Sequence, residues 1–389
     1  MNRPQPGRSD PLGSPARDAL RIALVTDTYP PDSNCAAMTL QRSVAYLRLR
    51  GHPVELVRPR HPCDAPNEAE DEMLLPGLRL HRDLQIGLPA TRMLRKAWRA
   101  QRPDVVHIAT AGPLGWSALQ TARTLDIPAS TEYHPPRHES WLERPLDCWL
   151  RHFHNAAACT FVPTSALRTQ LSRRGYRNLA VMGCGVDSQR YNPARRSRAL
   201  RRRWALRDDD LAVLHVGRFV AESGLKLAAR AFEAIRRTQP TARMVWLGDG
   251  PLRAKYQQAH PDHVFLGARS GEVLAACYAS ADICLYPRLG ERFGNIPLEA
   301  MASGLALVAF DCGAAGEHAL DGMDACLVPY GDELCFIQRA VDLARFPALR
   351  HRLRHAARSA VRSLHWSAVL GEFEQQLRVI AQRDAAAAG

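Results

Sequence analysis

The segment GERFGNIPLEAMASG (290–304) carries the densest chemistry in the chain. Two carboxylates, Glu291 and Glu299, flank Phe293, Gly294 and Asn295, and Pro297 suits the first turn of a helix. Peptide N–H groups at a helix start have no partner within the helix, and they attract anions, phosphate above all. Acids on either side of such a site suit a ligand with hydroxyls at both ends and phosphates between, which is the layout of a nucleotide sugar. Spacing alone equally allows Glu299 to favour the helix dipole while Glu291 is a solvated loop residue.

Positioning these groups requires strands that end where they begin. DICLYP (282–287) immediately precedes the segment, and it is one of a series of short apolar runs separated by helical spacing. RIALVT (21–26), PVELVRP (53–59), DVVHIAT (104–110), IPAST (127–131), CTFVP (159–163) and LAVMG (179–183) form a first series. LAVLHVG (211–217), ARMVWLG (242–248), HVFLG (263–267), DICLYP, LALVAF (305–310) and ACLVP (325–329) form a second. Between them NPARRSRALRRRWALRDDD (192–210) is charged and has no strand signal. Such alternation predicts an α/β chain of two doubly wound halves joined near residue 200, with ligands beyond the carboxyl ends of the strands. Residues 1–20 read as a flexible tail, 21–195 as a first Rossmann-like domain and 196–365 as a second. A helix over 366–389 can pack back on the first.

The length of 389 residues allows two cores, and 46% hydrophobic with 23% charged residues excludes a largely disordered chain. No run approaches the roughly 20 apolar residues of a membrane span. Of 52 basic residues only three are lysine (Lys96, Lys226, Lys255), and the net charge of +13 points either to an arginine-rich composition or to an anionic partner. The ten cysteines contain no C-x-x-C pair, so neither zinc ligation nor a disulfide framework is supported, and a reducing cytosolic compartment fits.

Several segments, in order, resemble the GT-B glycosyltransferases, specifically the retaining family four (group 1) type. They are VTDTYPP (25–31), VHIATAGPLGWSAL (106–119), FHNAAACTFVPT (153–164), HVGR (215–218), LGDGPLR (247–253), YASAD (278–282) and FGNIPLEAMASG (293–304). The likeness is to bacterial mannosyltransferases that use GDP-mannose and lipid acceptors. It implies two Rossmann-like domains facing across a cleft. Glu291 would hold hydroxyls of the hexose, Gly294, Asn295 and Ile296 would offer N–H groups to the diphosphate, and Glu299 would bind the ribose. Arg218 would neutralise the leaving diphosphate, the turn containing Asp249 would lie near the base, and His134 would sit beside the hexose. The loop from Asp27 through Asn34 to Cys35 would meet diphosphate and acceptor. No cofactor and no metal are implied. The partners implied are a nucleotide-sugar donor and a lipid or glycan acceptor.

The chain departs from the family pattern at several places. Ser223 stands where a lysine is common, with Lys226 three residues later. Cys35 replaces a glycine, Cys184 an arginine, and Arg292 a small residue. Either Arg292 or Lys226 substitutes for the missing ammonium, or Arg292 pairs with Glu291 and leaves a nucleotide-sugar-binding protein with impaired catalysis. TRMLRKAWRAQRP (91–103) sets Arg92, Arg95, Lys96, Arg99 and Arg102 at helical spacing around Leu94 and Trp98. That helix suits an anionic membrane surface, or packs on a sheet with a solvated face. No nucleic-acid-binding module is recognisable. The expectation is therefore a cytoplasmic enzyme, peripheral on the inner face of the cytoplasmic membrane.

Overall fold

The computed structural model describes residues 19–30, 35–62, 64, 71–81, 84–135, 143–289 and 294–387. In chain order the strands are β1 (Ile22–Val25), β2 (Val54–Pro59), β3 (Glu72–Leu75), β4 (Gly77–His81), β5 (Leu84–Gly87), β6 (Val105–Ile108), β7 (Ala129–Glu132), β8 (Cys159–Val162) and β9 (Leu179–Val181). They continue as β10 (Ala212–Val216), β11 (Arg243–Leu247), β12 (Val264–Phe265), β13 (Ile283–Tyr286), β14 (Ala306–Phe310) and β15 (Cys326–Val328). A seven-stranded sheet has the order β3-β2-β1-β6-β7-β8-β9, and a six-stranded sheet the order β12-β11-β10-β13-β14-β15.

The apolar runs become central parallel strands because helices cover both faces of each sheet, so every side chain must tolerate burial. Ile22, Ala23, Leu24 and Val25 of β1 are all buried. Within the second sheet, Ala212, Leu214 and Val216 of β10 join the core on one face. Leu211 and Val213 join the core on the other, with Phe232 and Trp246. This period of two is that of a doubly wound sheet. Helices start where local chemistry permits. Pro113 opens the helix Pro113–Thr124, and the Thr164 hydroxyl accepts from Leu167 N at 3.1 Å to cap the helix Ser165–Arg173.

Three features were not legible in the sequence pattern. β3 extends the first sheet's edge, and β4 and β5 form an antiparallel hairpin. The supposed strand 263–267 shrinks to two residues. The charged stretch 192–210 is also less of a solvated linker than it reads. Arg201 is 1% exposed and donates to Asp282 Oδ2 at 3.0 Å, while Arg196 donates to Asp282 Oδ1 at 2.9 Å. Asp282, in the YASAD motif, also accepts from Ala212 N at 2.9 Å, so it ties the stretch to the start of β10.

By internal contacts the chain forms two compact units. One takes in the described residues up to Tyr133, Glu143–Thr160 and those from Glu374 onward; the other takes in His134, Pro135 and Phe161–Phe373. The C-terminal helix Trp366–Ala387 contributes Glu374 to the first unit. There the Glu374 carboxylate accepts from His52 Nε2 at 3.1 Å, Arg50 Nε at 3.1 Å and Arg378 Nη2 at 2.9 Å. Burial alone would raise its pKa, but the hydrogen bonds from Arg378, His52 and Arg50 prevail and hold it near 2.

Candidate active site

In each sheet the strand order reverses direction at one point, between β1 and β6 in the first and between β10 and β13 in the second. Residues after these strands line the crevice where α/β sheets bind ligands. In the second sheet those residues are the ones the motifs singled out.

Gly217 and Arg218 follow β10, and the GDGP turn follows β11. The two loops are clipped back to back: Gly217 N donates to Leu247 O at 3.0 Å, Phe219 N to Asp249 O at 2.9 Å and Leu252 N to Phe219 O at 3.0 Å. At Gly248 φ is +141° and a Cβ would lie 1.9 Å from Gly217 O, so only glycine allows this approach. Arg218 and Asp249 are thus brought together by backbone, both exposed. Asp249 pairs with Arg253 at 3.1 Å. Ser223 is buried in a short 3-10 turn, and Lys226 is exposed in the first turn of the helix Leu225–Thr238.

After β13, Gly294 and Asn295 lead into the helix Ile296–Ala302, with Pro297 and Glu299 in its first turn. Gly294 and Asn295 are buried, and Glu299 is half-buried. Glu291, Arg292 and Asn34 lie outside the described residues. Two groups that the motifs contain, but that pattern alone did not single out, complete this edge. Tyr278, fully buried, donates its hydroxyl to Glu299 Oε2 at 3.0 Å and so orients the carboxylate. His215 lies under the Gly217 turn; its Nδ1–H donates to Leu285 O at 3.0 Å, and burial pushes its pKa down to about 4, so the ring is neutral. The signal for Tyr278 was its place in YASAD, a motif otherwise accounted for by its aspartate.

In the first sheet, His134 follows β7 and is half-buried. Asp27 follows β1. Its N–H donates to the Thr110 hydroxyl at 2.8 Å, and its Oδ1 accepts from Gly87 N at 2.9 Å. Burial pushes its carboxyl up to about 6, against the lowering effect of the Gly87 and Thr110 hydrogen bonds. Nearby, His107 and Glu132 form a buried pair at 3.1 Å.

Two other expectations concern metals and the membrane. Glu233, His260 and His263 converge closely enough to suggest a metal site among the described residues. Trp246 Nε1–H, however, donates to His263 Nδ1 at 3.0 Å, which places the ring proton on Nε2, the atom a metal would need. The trio is therefore no ready metal site. In the helix Thr91–Ala100, Leu94 and Trp98 are buried, and Trp98 Nε1 donates to Glu55 at 3.2 Å. The apolar stripe thus packs inward, while Arg92, Lys96 and Arg99 are exposed. No described helix is long and apolar enough to cross a membrane.

Comparison with known proteins places this arrangement. Residues 36–190 match the family described as Glycosyltransferase Family 4, and residues 210–345 match Glycosyl transferases group 1. The sequence is 33% identical over 372 residues to a GDP-mannose-dependent alpha-mannosyltransferase of Mycobacterium tuberculosis, covering 91% of this chain and 95% of that protein. Among solved structures, a sucrose-phosphate synthase from Thermosynechococcus elongatus superposes with a TM-score of 0.74 at 19% identity, covering 95% of this chain and 100% of the other. HepE of Anabaena, solved in complex with UDP, superposes with a TM-score of 0.72 at 15% identity over 92% of this chain and 100% of that one. The fold is GT-B, and the chain belongs to the family four, group 1 glycosyltransferases. It is a glycosyltransferase with relatives named as mannosyltransferases.

Proposed function

We propose that the enzyme moves mannose from GDP-mannose to a lipid-linked or glycolipid alcohol with retention of configuration. The observation that carries this reading is the edge of the second sheet. There the Arg218 turn is clipped to the Asp249 turn, and Glu299 is oriented by Tyr278 at the start of the helix Ile296–Ala302. These supply a cation, helix-start N–H groups and a hydroxyl-binding acid on one ligand-binding edge. The mannosyl donor is supported by the name of the mycobacterial relative.

In this mechanism the bond from the hexose anomeric carbon to the diphosphate oxygen breaks as a bond to the acceptor oxygen forms on the same face. The acceptor proton passes to the departing diphosphate, giving GDP and the glycoside. Arg218 and the N–H groups of Gly294, Asn295 and Ile296 stabilise the charge that develops on the leaving group. Glu299 holds the ribose, Glu291 the hexose hydroxyls, and His134 lies beside the reacting carbon. Asp249 lies near the base, and Asn34 meets the diphosphate. Lys226 or Arg292 replaces the ammonium absent at Ser223; an Arg292→Thr variant with unchanged donor affinity would dismiss Arg292.

Attachment to anionic membrane from the cytoplasmic side fits the exposed Arg92, Lys96 and Arg99. The test is a panel of GDP- and UDP-sugars incubated with total membrane lipid extract and the purified enzyme. Labelled glycolipid from GDP-mannose, α-configured by NMR, is the expected result. Preference for another sugar nucleotide would displace the mannosyl reading, and an inverted product the retaining one.

A further inference from the structure

His215, near the carboxyl end of β10, is a buried titratable group that the reaction as described does not use. It stands where the strand order of the second sheet reverses, between β10 and β13. The loops after these two strands touch above it. A Cβ on Gly224, which follows the turn Ala221–Ser223, would lie 2.3 Å from Pro287 O, just past β13. Ser223, buried in that turn, brings no charge to the crevice.

The two ring nitrogens of His215 are placed differently. Nδ1–H donates to Leu285 O on β13 at 3.0 Å, and the ring packs against Trp246 with centroids 5.1 Å apart. That bond leaves the lone pair of a neutral ring on Nε2, which is buried and has no hydrogen-bond partner among the described residues. A buried polar atom left unpaired costs free energy and calls for a reason. Nε2 is turned towards the end of the strand. It lies 3.7 Å from the position a Cβ on Gly217 would take, and beyond the adjoining residues no other described heavy atom comes within 4 Å of that position. The missing side chain of Gly217 thus leaves space over Nε2, on the edge where such sheets bind ligands.

In the free protein a second ring proton is disfavoured. Burial lowers the proton affinity, the bond to Leu285 raises it, and the balance holds the pKa at about 4. The charged groups on the surrounding elements are Arg218, Asp249, Glu222, Lys226, Arg288 and Glu299. Of the acids, Asp249 is engaged by Arg253, Glu299 by Tyr278, and Glu222 is exposed to solvent. No described carboxylate therefore stands as an acceptor for a proton on Nε2. An anion arriving over Gly217 changes both terms at once, because it brings counter-charge and an acceptor oxygen.

We propose that His215 takes up a proton as the donor diphosphate binds, and that Nε2–H then donates to a diphosphate oxygen. His215 thereby supplies a cation that exists only in the donor complex, on the same edge as Arg218. The inference rests on the donor being a sugar nucleotide, as proposed above. A cation raised only on binding spares the free protein a buried, unpaired charge. By linkage, a group whose pKa rises on binding makes binding tighter as pH falls.

Isothermal titration calorimetry on the full-length protein with GDP-mannose tests this, at pH 7 in buffers of differing ionisation enthalpy. GDP-mannose has no phosphomonoester to titrate near neutrality, so a proton taken up belongs to the protein. Uptake of about half a proton or more per bound donor is expected, with affinity falling about fivefold from pH 6 to pH 7. His215→Gln, which keeps a donor for Leu285 O, should abolish the uptake and flatten the profile. Asp27, whose pKa is about 6, is untouched in that variant. Uptake that persists in His215→Gln therefore overturns the assignment, as does binding by the parent without uptake. Should the variant not fold, nitrogen NMR of the histidine-labelled parent decides. One imidazole that stays neutral between about pH 5 and 8 in the free protein should become doubly protonated with GDP-mannose, and its staying neutral overturns the proposal. If a donor binds without proton uptake, only the role of His215 falls; if GDP-mannose and UDP-glucose both fail to bind at millimolar concentration, the donor reading falls with it.

Discussion

At the scale of single residues, the site works through groups held by other groups. Under the proposed function Glu299 reads the ribose, which requires its oxygens to be aimed, and Tyr278 aims one of them. Tyr278→Phe removes a hydrogen bond to a carboxylate, so donor KM should rise about five- to tenfold, equivalent to about 1 kcal/mol or slightly more. On the proposed role the ribose would be bound alike in ground and transition states, so kcat should change less, and steady-state kinetics checks this split. Asp27 makes a prediction of the opposite kind about stability. Its folded pKa of about 6 is raised above the ordinary carboxyl value, so ionisation at neutral pH works against folding. Asp27→Asn should therefore be more stable than the parent at pH 7.5, by about 1–3 kcal/mol, with the gain fading as pH falls through 6 towards 4. Urea titrations across that range measure it.

At the scale of elements, two buried carboxylates anchor segments that sequence pattern left loose. Asp282 receives Arg201, Arg196 and the Ala212 N–H, joining the stretch 192–210 to the second sheet. Asp282→Ala leaves the buried Arg201 guanidinium without its counter-ion and should destabilise the protein by about 3–5 kcal/mol in denaturant titrations. Glu374 anchors the C-terminal helix to His52 and Arg50. Its folded pKa near 2 is depressed, so its contribution is present above the unfolded value of about 4.5 and is lost as pH falls from there towards 2. Glu374→Gln should cost on the order of 2–3 kcal/mol at pH 7. The difference from the parent should vanish near pH 2, as read by thermal unfolding.

At the scale of the whole molecule, a net charge of +13 matters where the cations are presented together. On the helix Thr91–Ala100 the buried Leu94 and Trp98 cannot enter a lipid surface, and the proposed attachment rests on the exposed cations Arg92, Lys96 and Arg99. Replacing Arg92, Lys96 and Arg99 with glutamate should lower co-sedimentation with anionic liposomes at least tenfold, taking about 1 kcal/mol per basic residue near such a surface. The parent's binding should fall with added salt. Co-sedimentation that ignores lipid charge would count against this surface.

The order of apolar runs determined the two α/β halves, because parallel strands covered on both faces must be apolar throughout and therefore stand out. The glycines of GDGP and the proline and glutamate of FGNIPLEAMASG likewise declared a turn and a helix start, since few residue types tolerate those backbones. What the chain order could not reveal were partnerships between distant positions. That Tyr278 holds Glu299, that Arg201 is buried against Asp282, and that Arg58 is engaged by Asp64 and Glu72 are facts of tertiary packing. A polar side chain's role depends on which of its hydrogen bonds are already made, and only the folded arrangement decides that.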